Sequence, residues 1–236
     1  MLEYNMDEIL IALEALDLES FNTLDCSEED VAYLCENLPF DLGYKYFYGC
    51  SKIVITKNTW DYVIKLPLGC GIDVYDEDLA QDDDYNPYYP FEGAYYCEEN
   101  SYGNDYCKAE MEYYEQAKSE GIDFFFAETM FLKEIYGVPV YIQPKCLTVE
   151  EIAEPTSRAL INNTRERLRR MNISSSINDM TFVASLLDNY DEKDVKKLFS
   201  FLHRYSIMDL HIGNIGYFKD SSMPCLIDYS DFKEDR

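Results

Sequence analysis

The sequence predicts an α+β fold, and three observations predict it. Between Gly43 and Leu66, short runs of β-branched and aromatic residues (GYKYFY, KIVIT, YVIKL) are separated by turn residues. An amphipathic helix over about Tyr106–Glu120 then divides these runs from two further strand-like runs, Phe124–Leu132 and Val138–Ile142. Beyond Pro144 the pattern turns helical and stays so almost to the end.

In chain order, residues 1–40 read as an N-terminal helical extension. Ile9, Leu10, Leu13 and Leu16 share one face of a helix over Met6–Leu16, and Ser27 caps a second over Ser27–Leu38. The three strand runs that follow make an antiparallel meander, with Gly49-Cys50-Ser51 between the first two. Asp73 to Asp105 contains no Lys or Arg and is rich in Asp, Glu, Tyr and Pro, so it reads as a long solvated insertion. Cys107, Met111, Tyr114 and Ala117 lie on one face of the following helix, which Gly121 ends. Helices are expected from Thr148, over Asp179–Leu187 and after Asp191. A closing hairpin pairs Asn214–Phe218 with Cys225–Tyr229.

With 47% apolar residues in 236, the chain holds enough for a sizeable core. No run of about 18 apolar residues suits a bilayer, and the first residues lack a basic, apolar leader, so cytoplasmic residence without membrane contact is expected. The eight cysteines include no C-x-x-C pair and there are only two histidines, which argues against zinc. A formal charge of −26 repels nucleic acid, because each phosphate contact needs a Lys or Arg. The same charge serves solubility or fits a basic groove on a protein partner.

The densest chemistry lies in MDLHIGNIGYFKDSSMPCLIDYSDF, Met208–Phe232. Asp209-Leu210-His211-Ile212-Gly213-Asn214 resembles the D-L-H-x-G-N catalytic loop of aminoglycoside phosphotransferases and the D-x-x-x-x-N loop of protein kinases. Asp228 in Ile227-Asp228-Tyr229-Ser230 resembles the D-F-G aspartate, here D-Y-S. Upstream, Lys65 in YVIKL resembles the V-A-I-K lysine, Gly49 and Ser51 stand where the phosphate-covering loop belongs, and PVYIQP resembles the fifth strand and the adenine-contacting hinge at Gln143.

The resemblance implies a two-lobed protein-kinase-like fold. Residues 41–145 form a lobe built on a five-stranded antiparallel sheet, with the acidic Tyr-rich insertion at 73–105. Residues 146–236 form a truncated, mainly helical lobe. It also implies ATP and magnesium as ligands and an acceptor that is a small molecule or a protein. Lys65 would bind the phosphates, with a helix glutamate as its counter-charge. Glu110 shares the inward face and is the candidate, while a shift of register would exchange it for Glu112 or Glu115. Asn214 and Asp228 offer the oxygen ligands that magnesium prefers. Asp209 would take the acceptor's proton, and His211 would position the loop.

Three features depart from that pattern. Ile207 and Met208 stand where a histidine and its neighbour usually brace the loop. The phosphate loop has one glycine. Only eight residues follow Asp228, with no activation segment. Two readings therefore stay open: a minimal phosphotransferase, or an inactive pseudokinase acting as an acidic protein-binding or inhibitory module.

Overall fold

The computed structural model describes residues 3–18, 23, 28–49, 51–69, 73–75, 95–97, 102–152 and 157–230. The fold is mixed α+β and divides into two compact units, described in turn. The first contains the described residues of Glu3–Cys107 and Phe131–Ile142, so the N-terminal helices belong with the sheet. The second contains Lys108–Met130 and those of Gln143–Arg236.

In the first unit, helix α1 is Met6–Ala15 and α2 is Glu28–Cys35. The strands are β1 Tyr44–Tyr48, β2 Lys52–Lys57 and β3 Tyr62–Pro67. After a short antiparallel pair, β4 Asp73–Tyr75 with β5 Tyr95–Cys97, comes helix α3, Tyr102–Ser119, which continues into the second unit. Strands β6 Met130–Ile135 and β7 Val138–Pro144 complete a five-stranded antiparallel sheet of order β1-β2-β3-β7-β6. Its alternation is legible in the register: Ile53 pairs with Leu66 and Ile55 with Ile64, and all four are fully buried. Tyr136 and Gly137 take φ of 51° and 79°, the two successive left-handed residues of a tight β6–β7 turn.

Helix α1 is held on this sheet by polar anchors as well as by buried Ile9, Ala12 and Leu13. Asn5 caps it, its side chain accepting from the backbone N–H groups of Asp7 and Glu8. Glu8 accepts from Lys57 Nζ at 2.5 Å and Trp60 Nε1 at 2.7 Å, and its own carbonyl accepts from the Tyr44 hydroxyl at 2.9 Å. The Trp60 ring stacks on Tyr62 and meets Tyr44 edge-on. The bonds from Lys57 and Trp60 lower the Glu8 pKa below the usual carboxylate range.

The second unit packs α5 Arg158–Met171, α6 Met180–Asn189 and α7 Glu192–Arg204 around an apolar core. Phe182, Leu198, Phe201 and Leu202 lie in it, fully or almost fully buried. Arg167 fastens α5 to α6 by binding the Asp188 carboxylate and the Leu187 carbonyl. Strand β8, Cys146–Thr148, leads through the short helix α4, Val149–Ile152, toward α5. It also pairs with β9, Ile215–Phe218, whose other neighbour is β10, Pro224–Leu226. The paired side of Gly216 is crowded: a Cβ there would lie 2.6 Å from the Leu147 carbonyl oxygen.

Several sequence expectations need correction. Phe124–Leu132 is not one strand: Asp123–Phe125 is a 3₁₀ turn and β6 begins at Met130. The reason is that Phe125, Phe126 and Ala127 are all buried in succession, which a half-buried strand forbids. Helix α3 starts at Tyr102 rather than Tyr106. The helical segment expected from Thr148 is preceded by β8 and split into α4 and α5. The closing ladder ends at Leu226, so Ile227–Tyr229 leaves it. The acidic insertion is closed at its base by the β4–β5 pair, while residues 76–94 lie outside the described residues. Among the described residues, no helix is long and apolar enough to cross a membrane.

Two outcomes follow. Because the Glu8 pKa is depressed, its stabilisation is present above the ordinary carboxylate range and lost as pH falls below about 4.5. Trp60 is the single tryptophan, so its fluorescence reports the change directly. A low-pH emission transition is expected in the wild type and absent in Glu8→Gln, whose spectrum at neutral pH already resembles the acid form. Gly216→Ala should lower unfolding stability in urea by about 1–3 kcal/mol, because the added methyl meets backbone rather than a yielding side chain.

Candidate functional site

The loop carrying Asp209 follows α7 and is held by two apolar pins. Ile207 and Leu210 are each 1% exposed and belong to the core of the second unit, whereas Met208, Asp209, His211 and Ile212 between and beside them are exposed. The Ile207 N–H returns to the Leu202 carbonyl at 2.9 Å, and Leu210 N–H to the Met208 carbonyl at 2.9 Å. Core packing of these two aliphatic residues is what braces the loop.

The polar side of the loop is organised by Asn214. Its Nδ2 donates to the Asp209 carbonyl at 2.6 Å and stands 3.5 Å from Asp209 Oδ2. The amide nitrogen is thereby engaged, which orients Oδ1 as the group left to accept or to ligate. The Asn214 carbonyl accepts from the backbone N–H groups of both Ile227 (2.9 Å) and Asp228 (3.2 Å). Asp209, Asn214 and Asp228 are thus brought together by hydrogen bonds across 19 residues of sequence. Asp228 Oδ1 also accepts from the Ser230 hydroxyl at 3.1 Å.

His211 Nδ1 accepts from the Gly213 N–H at 3.0 Å, which assigns the ring proton of the neutral form to Nε2. Nε2 lies 3.8 Å from Asp209 Oδ1, too far for a direct hydrogen bond. Gly213 permits this ring position, since a Cβ there would meet His211 Cε1 at 2.8 Å.

Glu110 on α3 is fully buried, whereas Glu112 and Glu115 are exposed. Thr129 donates its hydroxyl proton to Glu110 Oε2 at 2.5 Å. Gln143 is 3% exposed, and its Nε2 lies 3.0 Å from each of the Ala127 carbonyl, Thr129 Oγ1 and the Ile227 carbonyl. The amide of Gln143 therefore faces the protein interior. The Tyr229 hydroxyl donates to the Ala127 carbonyl at 2.9 Å, and burial, then the nearby Glu110 charge, pushes its pKa well up.

The remaining expected residues lie in the first unit. Lys65 is 2% exposed at the centre of β3, opposite Val54. Gly49 and Ser51 belong to a tight turn between β1 and β2, closed by the Gly49 N–H on the Lys52 carbonyl at 3.2 Å. The Ser51 carbonyl is taken by the Leu68 N–H at 2.9 Å. A Cβ on Gly49 would meet nothing within 4 Å. Among the described residues, no group of three or more His, Cys, Asp or Glu side chains is gathered as a metal site.

Two contributors were not picked out from the sequence, Thr129 and the Tyr229 hydroxyl. A Gln at the end of the apolar run VPVYIQ signals that a buried partner must exist, but nothing local names Thr129 or the Ala127 carbonyl. Comparison with known proteins finds no match, whether among family models, curated proteins or solved structures.

The pinned-loop geometry predicts a sharp contrast between neighbours. Leu210→Ala should cost about 2–5 kcal/mol in urea unfolding. Ile212→Ala, two residues on and 48% exposed, should stay within about 0.5 kcal/mol of wild type.

Proposed function

We propose that the chain is a kinase-like nucleotide- and magnesium-binding protein that transfers the ATP γ-phosphate to an acceptor hydroxyl. The observation that carries this reading is the backbone-linked constellation of Asp209, Asn214 and Asp228, two oxygen donors beside an exposed carboxylate. The donor set suits magnesium: the Asp228 carboxylate and Asn214 Oδ1 are hard oxygen ligands that would hold the ion, which does not require a dedicated all-protein cage. Bound there, the ion would neutralise charge on the phosphates.

The chain's own residues supply the rest. Asn214 holds the Asp209 backbone, and with it the carboxylate that would orient the acceptor hydroxyl and receive its proton. His211, fixed through Gly213 with its Nε2 3.8 Å from Asp209 Oδ1, is assigned a positioning role by the resemblance. The formal charge of −26 opposes free ATP, so affinity is expected to depend on the cation.

The tight turn at Gly49 favours a second reading, a pseudokinase in which an acidic surface engages a basic protein. A turn closed between residues 49 and 52 offers little chain to cover a triphosphate.

The two aspartates separate these readings. Asp228→Ala should abolish magnesium-dependent ATP binding in calorimetry while the protein stays folded. Asp209→Ala should keep binding and lose turnover, because its carboxylate acts on the acceptor rather than the nucleotide. A wild type whose melting temperature does not rise with millimolar ATP and magnesium would leave only the binding-module reading.

A further inference from the structure

Asp228 sits between two residues that are tied to the same short stretch of chain. On one side, the Ile227 carbonyl accepts from Gln143 Nε2; on the other, the Tyr229 hydroxyl donates to the Ala127 carbonyl, which Gln143 Nε2 also approaches at 3.0 Å. The third neighbour of that amide, Thr129 Oγ1, has directed its only proton at Glu110, so it too acts as an acceptor. With three acceptors around it, the nitrogen side of the Gln143 amide is fixed. Segment 126–129 itself runs beside the Asp228 arm, with Phe126 bridged to Leu226 and the Ala127 N–H on the Leu226 carbonyl at 2.9 Å.

Gln143, Thr129 and Glu110 are nearly or fully buried, and their polar groups pair with one another and with the Ala127 and Ile227 carbonyls, which apolar residues of equal volume would leave without these donors. Besides satisfying those carbonyls, such a cluster fixes one geometry. The geometry fixed here is that of the backbone on both sides of Asp228, while Asn214 holds the Asp228 N–H from a third direction.

We infer that Gln143 and the Tyr229 hydroxyl are positioning residues that give the Asn214–Asp228 pair its preference for magnesium over larger divalent cations. This rests on the nucleotide- and magnesium-binding reading above. Magnesium demands short, near-octahedral ligation, whereas calcium accepts longer and irregular contacts, so a rigid ligand arm favours the smaller ion and a slack one forfeits that advantage. Groups that orient a ligand without touching the ion commonly change metal affinity by about 10–100-fold.

The test is calorimetric titration of ATP into wild type, Gln143→Met and Tyr229→Phe, each with magnesium chloride and with calcium chloride, with far-UV circular dichroism confirming the fold. Both substitutions conserve volume, and Tyr229→Phe removes a single oxygen atom, so it remains measurable if Gln143→Met folds poorly. The expected result is a magnesium-to-calcium affinity ratio reduced about tenfold or more in Gln143→Met, and by a smaller factor in Tyr229→Phe. Equal weakening with both ions, leaving the ratio at its wild-type value in every folded variant, would overturn the inference while sparing the nucleotide reading. A wild type that binds ATP with neither ion would overturn both.

Discussion

The carbonyl of Ala127 has to find partners where water cannot reach. Ala127 is fully buried, between Phe126 and the Glu128-Thr129 pair, and its backbone N–H is already committed to the Leu226 carbonyl. An unpaired carbonyl at such a depth costs about 1–3 kcal/mol. Two side chains from distant parts of the sequence, the Gln143 amide and the Tyr229 hydroxyl, meet that requirement. Once they do, the chain around Asp228 has little freedom, because the same amide also holds Ile227. Phe126 contributes from the apolar side, edge-on to both Phe201 and Tyr229. The polar cluster and the aromatic core of the second unit therefore fix the same few residues.

The Asp209 loop solves a related problem with different means. Buried Ile207 and Leu210 flank the exposed pair Met208-Asp209 and anchor the loop in the core of the second unit. The bond from Asn214 acts on the Asp209 backbone, while the carboxylate itself is exposed. A loop held by apolar pins and a backbone hydrogen bond leaves its acidic group available to a ligand. That division of labour is what the functional reading draws upon.

The first unit answers its own electrostatic problem in one place. The Glu8 side chain takes both Lys57 and Trp60, and this joins the first helix to the β2–β3 hairpin. In a chain with 46 acidic and 20 basic residues, a cation placed on a specific carboxylate is a scarce resource, and here it is used to dock a helix. The aromatic stack of Trp60 on Tyr62 adds apolar area at the same seam.

The α+β class, the meander, α1, α6, α7 and the β6–β7 turn were legible in the sequence because each follows from local periodicity, a capping residue or a turn dipeptide. The inward placing of Glu110 followed from helical spacing alone. The same local logic misread Phe124–Leu132 as a strand, since a run of aromatics looks alike whether it lies in a ladder or plugs a core. It also passed over β8, whose three residues gain their strand geometry from β9, some 70 residues later. The sequence by itself determined the spacing of Asp209, Asn214 and Asp228 and hence the chemistry they could share. Only the tertiary structure decided that Gln143 turns inward, that Thr129 and Tyr229 complete its cluster, and that Ile207 is an apolar pin in the core. The physical reason is that a buried polar group takes whichever partner folding brings within about 3 Å, and such partners carry no mark in the local sequence.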